Sequence, residues 1–313
     1  MPLRVLGNLA LCLATGWVAG PLAAQEAGSP TPAAQAPAAA APVSAVRAVR
    51  GLSARHHAWG RFQPGAWKVV RVVTETLDPA GLVSSTSTTE TKTTLAKLGD
   101  DGVCLEVEVG VEVAGKQLDA QPQFINQGFH GELSGPGVVI KPAGASQVLI
   151  EDRQIDCRLQ QVEFAGPSSR TVESIYYSDL LPPYVLKRAS TTTDSSGQQW
   201  LGETTQEVLA LDLPYKVLAV TKTAACVRTV QRDSRGMIVS VAMTANDVPG
   251  GVVYQTSKET DKAGRLARRS TLELVGYGLR AEEERPGLFG RKRAARIRNK
   301  SALHAPYRAD DSN

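Results

Sequence analysis

Histidine and cysteine are scarce, with four of each in 313 residues. The histidines are His56, His57, His130 and His304, a scatter from which no proton relay or metal centre can be read by spacing. There is no C-x-x-C pair, no H-E-x-x-H helix, no G-x-S-x-G elbow and no phosphate-cradling glycine loop. The zinc, metalloprotease, serine-hydrolase and nucleotide-binding signatures are therefore all missing. Asp152 and Asp156 form a carboxylate pair, but nothing in the sequence puts them in one cleft. These absences predict a chain that is not an enzyme and has no cofactor or metal. Aromatics are only 5% of the residues, too few for the stacked platform a sugar-binding module usually presents. Helical periodicity is also rare, and residues 45–57 and part of the C-terminal tail are its only candidates.

What the chain does have begins at the N-terminus. Arg4 precedes an uncharged, largely apolar stretch from residue 5 to about 18, followed by Gly20, Pro21, Ala23 and Ala24. That order predicts a secretory leader over residues 1–24, cleaved near Ala24. Retained, residues 5–24 would instead anchor the chain in the inner membrane. Cys12 would leave with the leader. Cys104, Cys157 and Cys226 then allow at most one intramolecular disulfide, so the fold is not built on a disulfide framework. Residues 25–43 are almost entirely Ala, Pro, Gly, Ser, Thr and Gln, and predict a disordered linker. A β-rich body is expected over 44–280 and a basic flexible tail over 281–313.

Charge separates the body from that tail. Residues 25–284 carry 26 Lys and Arg against 29 Asp and Glu, whereas residues 285–308 carry eight Lys and Arg and no acid. The basic cluster Arg291, Lys292, Arg293, Arg296, Arg298 and Lys300 is a candidate polyanion-binding site. Export disfavours nucleic acid as its target and favours an anionic envelope surface. Asn299-Lys300-Ser301 also matches a glycosylation sequon.

Within the body, residues 103–113 alternate Val or Leu with Cys, Glu and Gly, a period of two that predicts a strand with one apolar and one acidic face. Four D-x-x-G segments, starting at Asp78, Asp194, Asp233 and Asp261, predict hairpin turns. Further strands are expected at 138–141, 147–151, 208–211, 237–244, 252–256 and 271–275. The fold class is therefore mainly β, with antiparallel sheet built from hairpins and few helices. Trp67, Arg71, Thr74, Asp78 and Gly81 match Tyr184, Arg188, Thr191, Asp194 and Gly197, a correspondence that predicts two similar β units at about 58–165 and 170–280.

Two places stand out as candidate contacts. His56 and His57 lie next to Trp59, and the residue types suggest surface histidines beside an anchoring indole. The run Gln127-Gly128-Phe129-His130-Gly131 is a glycine-flanked loop that lets backbone approach a neighbour closely, and it is the strongest candidate for a functional loop. Tyr176-Tyr177 and Pro182-Pro183-Tyr184 are read as loop anchors.

Residues 67–94, with Tyr184-Val185-Leu186-Lys187-Arg188 and Val248-Pro249-Gly250-Gly251-Val252, resemble uncharacterised secreted bacterial β-proteins. The resemblance implies a secreted β-fold and no particular activity. At the level of fold, a curved sheet is also similar to the periplasmic lipoprotein carriers. The functional expectation is an exported, non-enzymatic interaction or scaffold protein. The alternative is a periplasmic carrier of a lipid or other apolar ligand.

Overall fold

The computed structural model describes residues 52–113, 115–131 and 138–280. The expected leader, linker and basic tail lie outside the described residues. A 3₁₀ turn at Ala54–His56 precedes fourteen strands. They are β1 Trp67–Leu77, β2 Val83–Leu98, β3 Gly102–Val113, β4 Lys116–Asp119, β5 Gln123–Gly128, β6 Val138–Ile150 and β7 Arg153–Ala165. Then follow β8 Ser169–Tyr177, β9 Val185–Asp194, β10 Trp200–Val217, β11 Val220–Asp233, β12 Gly236–Ala245, β13 Val252–Asp261 and β14 Leu266–Gly278. Each strand expected from sequence overlaps one of these elements, with 138–141 and 147–151 both falling in the single long β6, which ends at Ile150. The helix expected at 45–57 does not form in its described part, where the single 3₁₀ turn stands instead.

All fourteen strands belong to one antiparallel sheet, in the order β4-β3-β2-β1-β14-β13-β12-β11-β10-β9-β8-β7-β6, with β5 also on β3. Most neighbours are consecutive hairpins. Besides the β3–β5 pair, the exception is β1, which sits between β2 and the last strand, pairing Trp67 with both Thr94 and Gly278. The alternation in β3 works as its sequence implies: Val103, Leu105 and Val107 are buried and Glu106, Glu108 and Glu112 are not. The four D-x-x-G segments make the four expected turns. The Asp78 carboxylate accepts from the amides of Ala80 and Leu82, and that of Asp194 from Gln198 and Gln199. Asp233 and Asp261 cap the turns after β11 and β13 in the same way.

The chain length between the two sheet edges forces the sheet to curl. Thirteen strands spaced about 4.8 Å apart would put the edges of a flat sheet about 58 Å apart. The connection from Gly128 in β5 to Val138 in β6 has ten residue steps and spans at most about 35 Å when fully extended. The sheet therefore bends around the side on which this connection runs. That side is fixed by His130, whose carbonyl accepts from Arg188 of β9 at 2.8 Å.

Residues 52–66 cross the same concave side as a strap. Leu52 packs with Val162, Ile175 and Tyr177 of β7 and β8, and its amide donates to the Gln160 side chain at 3.3 Å. Trp59 packs with Leu95, Val103, Leu105, Val107 and Phe129 near the other edge. Between them, Val70, Leu272, Leu274, Val252, Val253 and Val248 form the central core. The tip of the β6–β7 hairpin folds onto β9, β10 and β11 through Val148, Ile150, Leu186 and Val208. The opposite, convex face carries cross-strand ion pairs, among them Arg71 with Glu90 at 2.7 Å and Arg269 with Glu75.

Candidate functional site

The strap is held by polar contacts as well as by its apolar anchors. His56 accepts the Ser53 amide at Nδ1, so its proton is on Nε2, which donates to the Asp179 carboxylate at 2.9 Å. Burial holds the His56 pKa below the usual imidazole value, and the bond and charge of Asp179 offset part of that shift. Arg55 donates to the Asp179 carbonyl at 2.7 Å. Arg61 donates to the carbonyls of Arg55, His57 and Asn246, and its guanidinium lies 5.1 Å from the centre of the Tyr184 ring. Both His56 and His57 are buried, at 6% and 5% exposure. This corrects the expectation of surface histidines, because the sheet curls over the strap and removes both imidazole rings from solvent.

Lys68 of β1 is also buried beneath the strap. Its ammonium donates to the Gly250 carbonyl at 3.3 Å and lies 5.7 Å from the centre of the Trp59 ring. Desolvation lowers its pKa from 10.5 to about 8. Gly250, at φ +70°, completes this contact: a Cβ there would sit 2.8 Å from both Lys68 Nζ and Trp59 Cε2. The Val248-Pro249-Gly250-Gly251-Val252 segment owes its double glycine to this approach and to the Gly250 amide bond to the Ala58 carbonyl.

Between strap and sheet lies a cleft of about 170 Å³. The strap contributes His56, His57, Ala58 and Arg61, and the β8–β9 loop contributes Pro182 and Pro183. The sheet contributes Arg188, Gln206, Ala225, Val227 and Thr244, with Asn246 from the β12–β13 turn and Gln127 from the end of β5. Arg61, Gln127, Arg188, Gln206 and Asn246 are strongly polar side chains in this wall. Arg188 is held by the His130 carbonyl and by Glu173 at 3.3 Å. Gln127 is 2% exposed. Its side-chain Nε2, Arg61 Nε and Asn246 Oδ1 are buried and have no hydrogen-bond partner among the described residues.

A polar row leads away from the cleft across the concave side. Strand pairing puts Arg188, Gln206, Thr229, Ser240, Ser257, Ser270 and Thr74 side by side over seven strands. Ser257 and Ser270 hydrogen-bond to each other at 2.7 Å. Small hydroxyl side chains at strand spacing keep this strip shallow and wet.

The glycine-flanked loop singled out in the sequence thus arrives at the cleft, with Gln127 in its wall and the His130 carbonyl on Arg188. Arg188, Gln206, Arg61 and Asn246 carry no sequence signal of a site, since four distant segments bring them together. Arg71 and Arg188, matched in the repeat alignment, point to opposite faces: Arg71 meets Glu90 on the convex side and Arg188 lines the cleft. Asp156 is exposed and pairs with Gln147, while Asp152 stands in the turn after β6, so the two do not form a cleft. Tyr177 is a buried core residue. Cys104, Cys157 and Cys226 are free thiols. Among the described residues no group of three or more His, Cys, Asp or Glu is placed to hold a metal ion. The candidate polyanion site at Arg291, Lys292, Arg293, Arg296, Arg298 and Lys300 lies outside the described residues.

No family model matches the chain and no curated protein matches it. Among solved structures, it is similar to a candidate exported protein with a YmcC-like fold from Bacteroides fragilis. That match has 10% identity and a TM-score of 0.29, and covers 69% of this chain and 97% of the other. A candidate lipoprotein from Parabacteroides distasonis matches with 12% identity and a TM-score of 0.27, over 71% and 98% of the two chains.

Proposed function

We propose that this chain is an exported, non-enzymatic binding protein of the cell envelope or its surroundings. In this reading the curled sheet is the scaffold and the strap cleft is the recognition site. The observation that carries it is the convergence of the strap, β5, β9 and the β12–β13 turn on one cleft with buried polar atoms in its wall. Export rests on the charged, apolar and small-residue succession of residues 4–24. Fractionation tests it: the chain is expected outside the cytoplasm with a mass starting near Gln25, and a wholly cytoplasmic, full-length chain would overturn it.

The apolar carrier is the weaker reading. Pockets that enclose drug-sized ligands measure roughly 300–1,000 Å³ and are mostly apolar. The cleft here is about 170 Å³, below that range, although residues such as Pro182, Val185, Ala225, Val227 and Val252 make its lining mostly apolar. Native mass spectrometry after gentle purification separates the two: co-purified lipid supports the carrier, and a lipid-free mass supports the polar site.

A further inference from the structure

We infer that the tip of the β10–β11 hairpin is a membrane contact, which enters an anionic lipid surface together with the basic C-terminal tail. This contact requires export but no particular occupant of the cleft. The tip is built from residues that do not suit a turn. Val217 pairs with Val220, leaving Leu218 and Ala219 as the two central residues. Leu218 stands at φ +55°, in the place where two-residue hairpins take asparagine or glycine. A bulky side chain held there strains the backbone. Every other hairpin turn among the described residues includes Gly, Asp, Asn, Ser or Pro, and this one has none of them.

Three consecutive apolar side chains face solvent at the tip: Leu218 is 38% and Val220 59% exposed, and Ala219 is exposed between them. Val217, just before them, is 3% exposed in the central core, and Tyr215 and Tyr277 pack against that core. The tip is thus fixed from beneath while its outer residues stay uncovered. Lys216 on one side is exposed, and Lys222 on the other pairs with Asp247. An apolar point backed by tyrosines and lysines has the side-chain order of a membrane interface, with rings at headgroup depth and ammonium groups among the phosphates.

The place where the chain leaves the sheet selects lipid as the occupant. Strand polarity puts Val217, Val220 and Gly278 at the same end of the sheet. Lys222 Nζ lies 5.7 Å from the centre of the Tyr277 ring, three residues before Arg280. Beyond Arg280 the chain carries eight Lys and Arg and no acid over residues 285–308. Leu279, 49% exposed, adds apolar area at the point of departure. The basic segment therefore starts within a side chain's reach of the hairpin, so that the tail supplies charge and the tip supplies burial on one surface. Both are needed, because a single weak anchor gives only marginal, reversible attachment. Leu82 and Val83 are exposed too, but they lie at the opposite end of the sheet from this departure.

The test is co-sedimentation of the purified exported chain with vesicles of phosphatidylcholine and phosphatidylserine at low salt. Leu218→Asn with Val220→Thr keeps the turn and strand preferences and removes the apolar surface. It is expected to weaken vesicle binding at least about fivefold and to melt no lower than the wild type, since asparagine accepts positive φ. Leu82→Asn with Val83→Thr makes the same change at the opposite end and should leave binding as it is. Leu218→Trp should be quenched by vesicles with brominated acyl chains more than the wild type is. No vesicle binding by the full chain, unchanged binding in the tip variant, an equal loss in the opposite-end variant, or quenching no greater than in the wild type overturns the inference. Self-association without lipid that the tip variant abolishes overturns it too, because the occupant is then a second copy of the chain. Export and the reading of the cleft are decided separately, by the fractionation and mass measurements above.

Discussion

Lys68 shows how far a single residue can be set by what covers it. Its folded pKa is about 8 against 10.5 unperturbed, and desolvation is the sole cause. Between those two values the unfolded chain holds a proton that the folded chain has released. Stability therefore rises with pH across that window, and below pH 8 the full penalty of a buried ammonium is present. The shift corresponds to about 3 kcal/mol at most, with part offset by Trp59 and the Gly250 carbonyl. Lys68→Met is thus expected to stabilise the protein at pH 7 by about 1–3 kcal/mol, with the gain shrinking toward pH 10.5. Urea unfolding at pH 7 and pH 10 measures it, and an equal loss of stability at both would contradict the burial penalty. Nothing in Trp67-Lys68-Val69-Val70 announces this lysine as buried, because alternation places it on a sheet face without saying that a strap covers that face.

Among the elements, the turns were readable and the strap was not. A D-x-x-G turn is local chemistry: the aspartate caps amides two to five residues ahead and the glycine takes the positive φ. The four turns are still not equivalent. Gly81 stands at φ +83° with open space around it, whereas Gly236, at φ +153°, pairs with Asp261, and its Cβ would lie 1.9 Å from the Thr260 carbonyl oxygen. Gly81→Ala is expected to cost about 1 kcal/mol, and Gly236→Ala about 3 kcal/mol or more, since the β12–β13 pairing must shift. Thermal melting of the two variants side by side shows the difference, and equal shifts would mean that β13 yields without strain. The strap has no periodicity to read, because its partners lie in β2, β3, β7 and β8, with Leu52 and Gln160 108 residues apart. Trp59 is the residue that fastens it, 3% exposed against β2 and β3. Trp59→Ala is expected to cost about 3–5 kcal/mol and to speed amide exchange in 52–66 more than in β10–β12. Uniform acceleration across the chain would show that the strap and sheet open together.

For the whole molecule, the β class and the hairpins follow from alternation and turn residues, but the closing pair does not. Pairing of β1 with β14 joins residues about 200 positions apart, and no local pattern specifies a contact of that range. It puts both expected units into one continuous sheet, and it fixes where the chain leaves it. Trp67 Nε1 donates to the Arg280 carbonyl at 3.2 Å, so the C-terminal segment departs from beside β1. A body of net charge −3 over residues 25–284 followed by eight basic residues is expected to approach an anionic surface tail first. Each basic residue near such a surface is worth about 1 kcal/mol at low salt, so a cluster of six would bind measurably and a screened one would not. The full chain is therefore expected to sediment with phosphatidylserine-containing vesicles at 50 mM salt and to release at 500 mM. A chain ending at Glu284 should stay in solution at both. If the shortened chain binds equally well, the attraction belongs to the sheet, and Arg291, Lys292, Arg293, Arg296, Arg298 and Lys300 do not carry it.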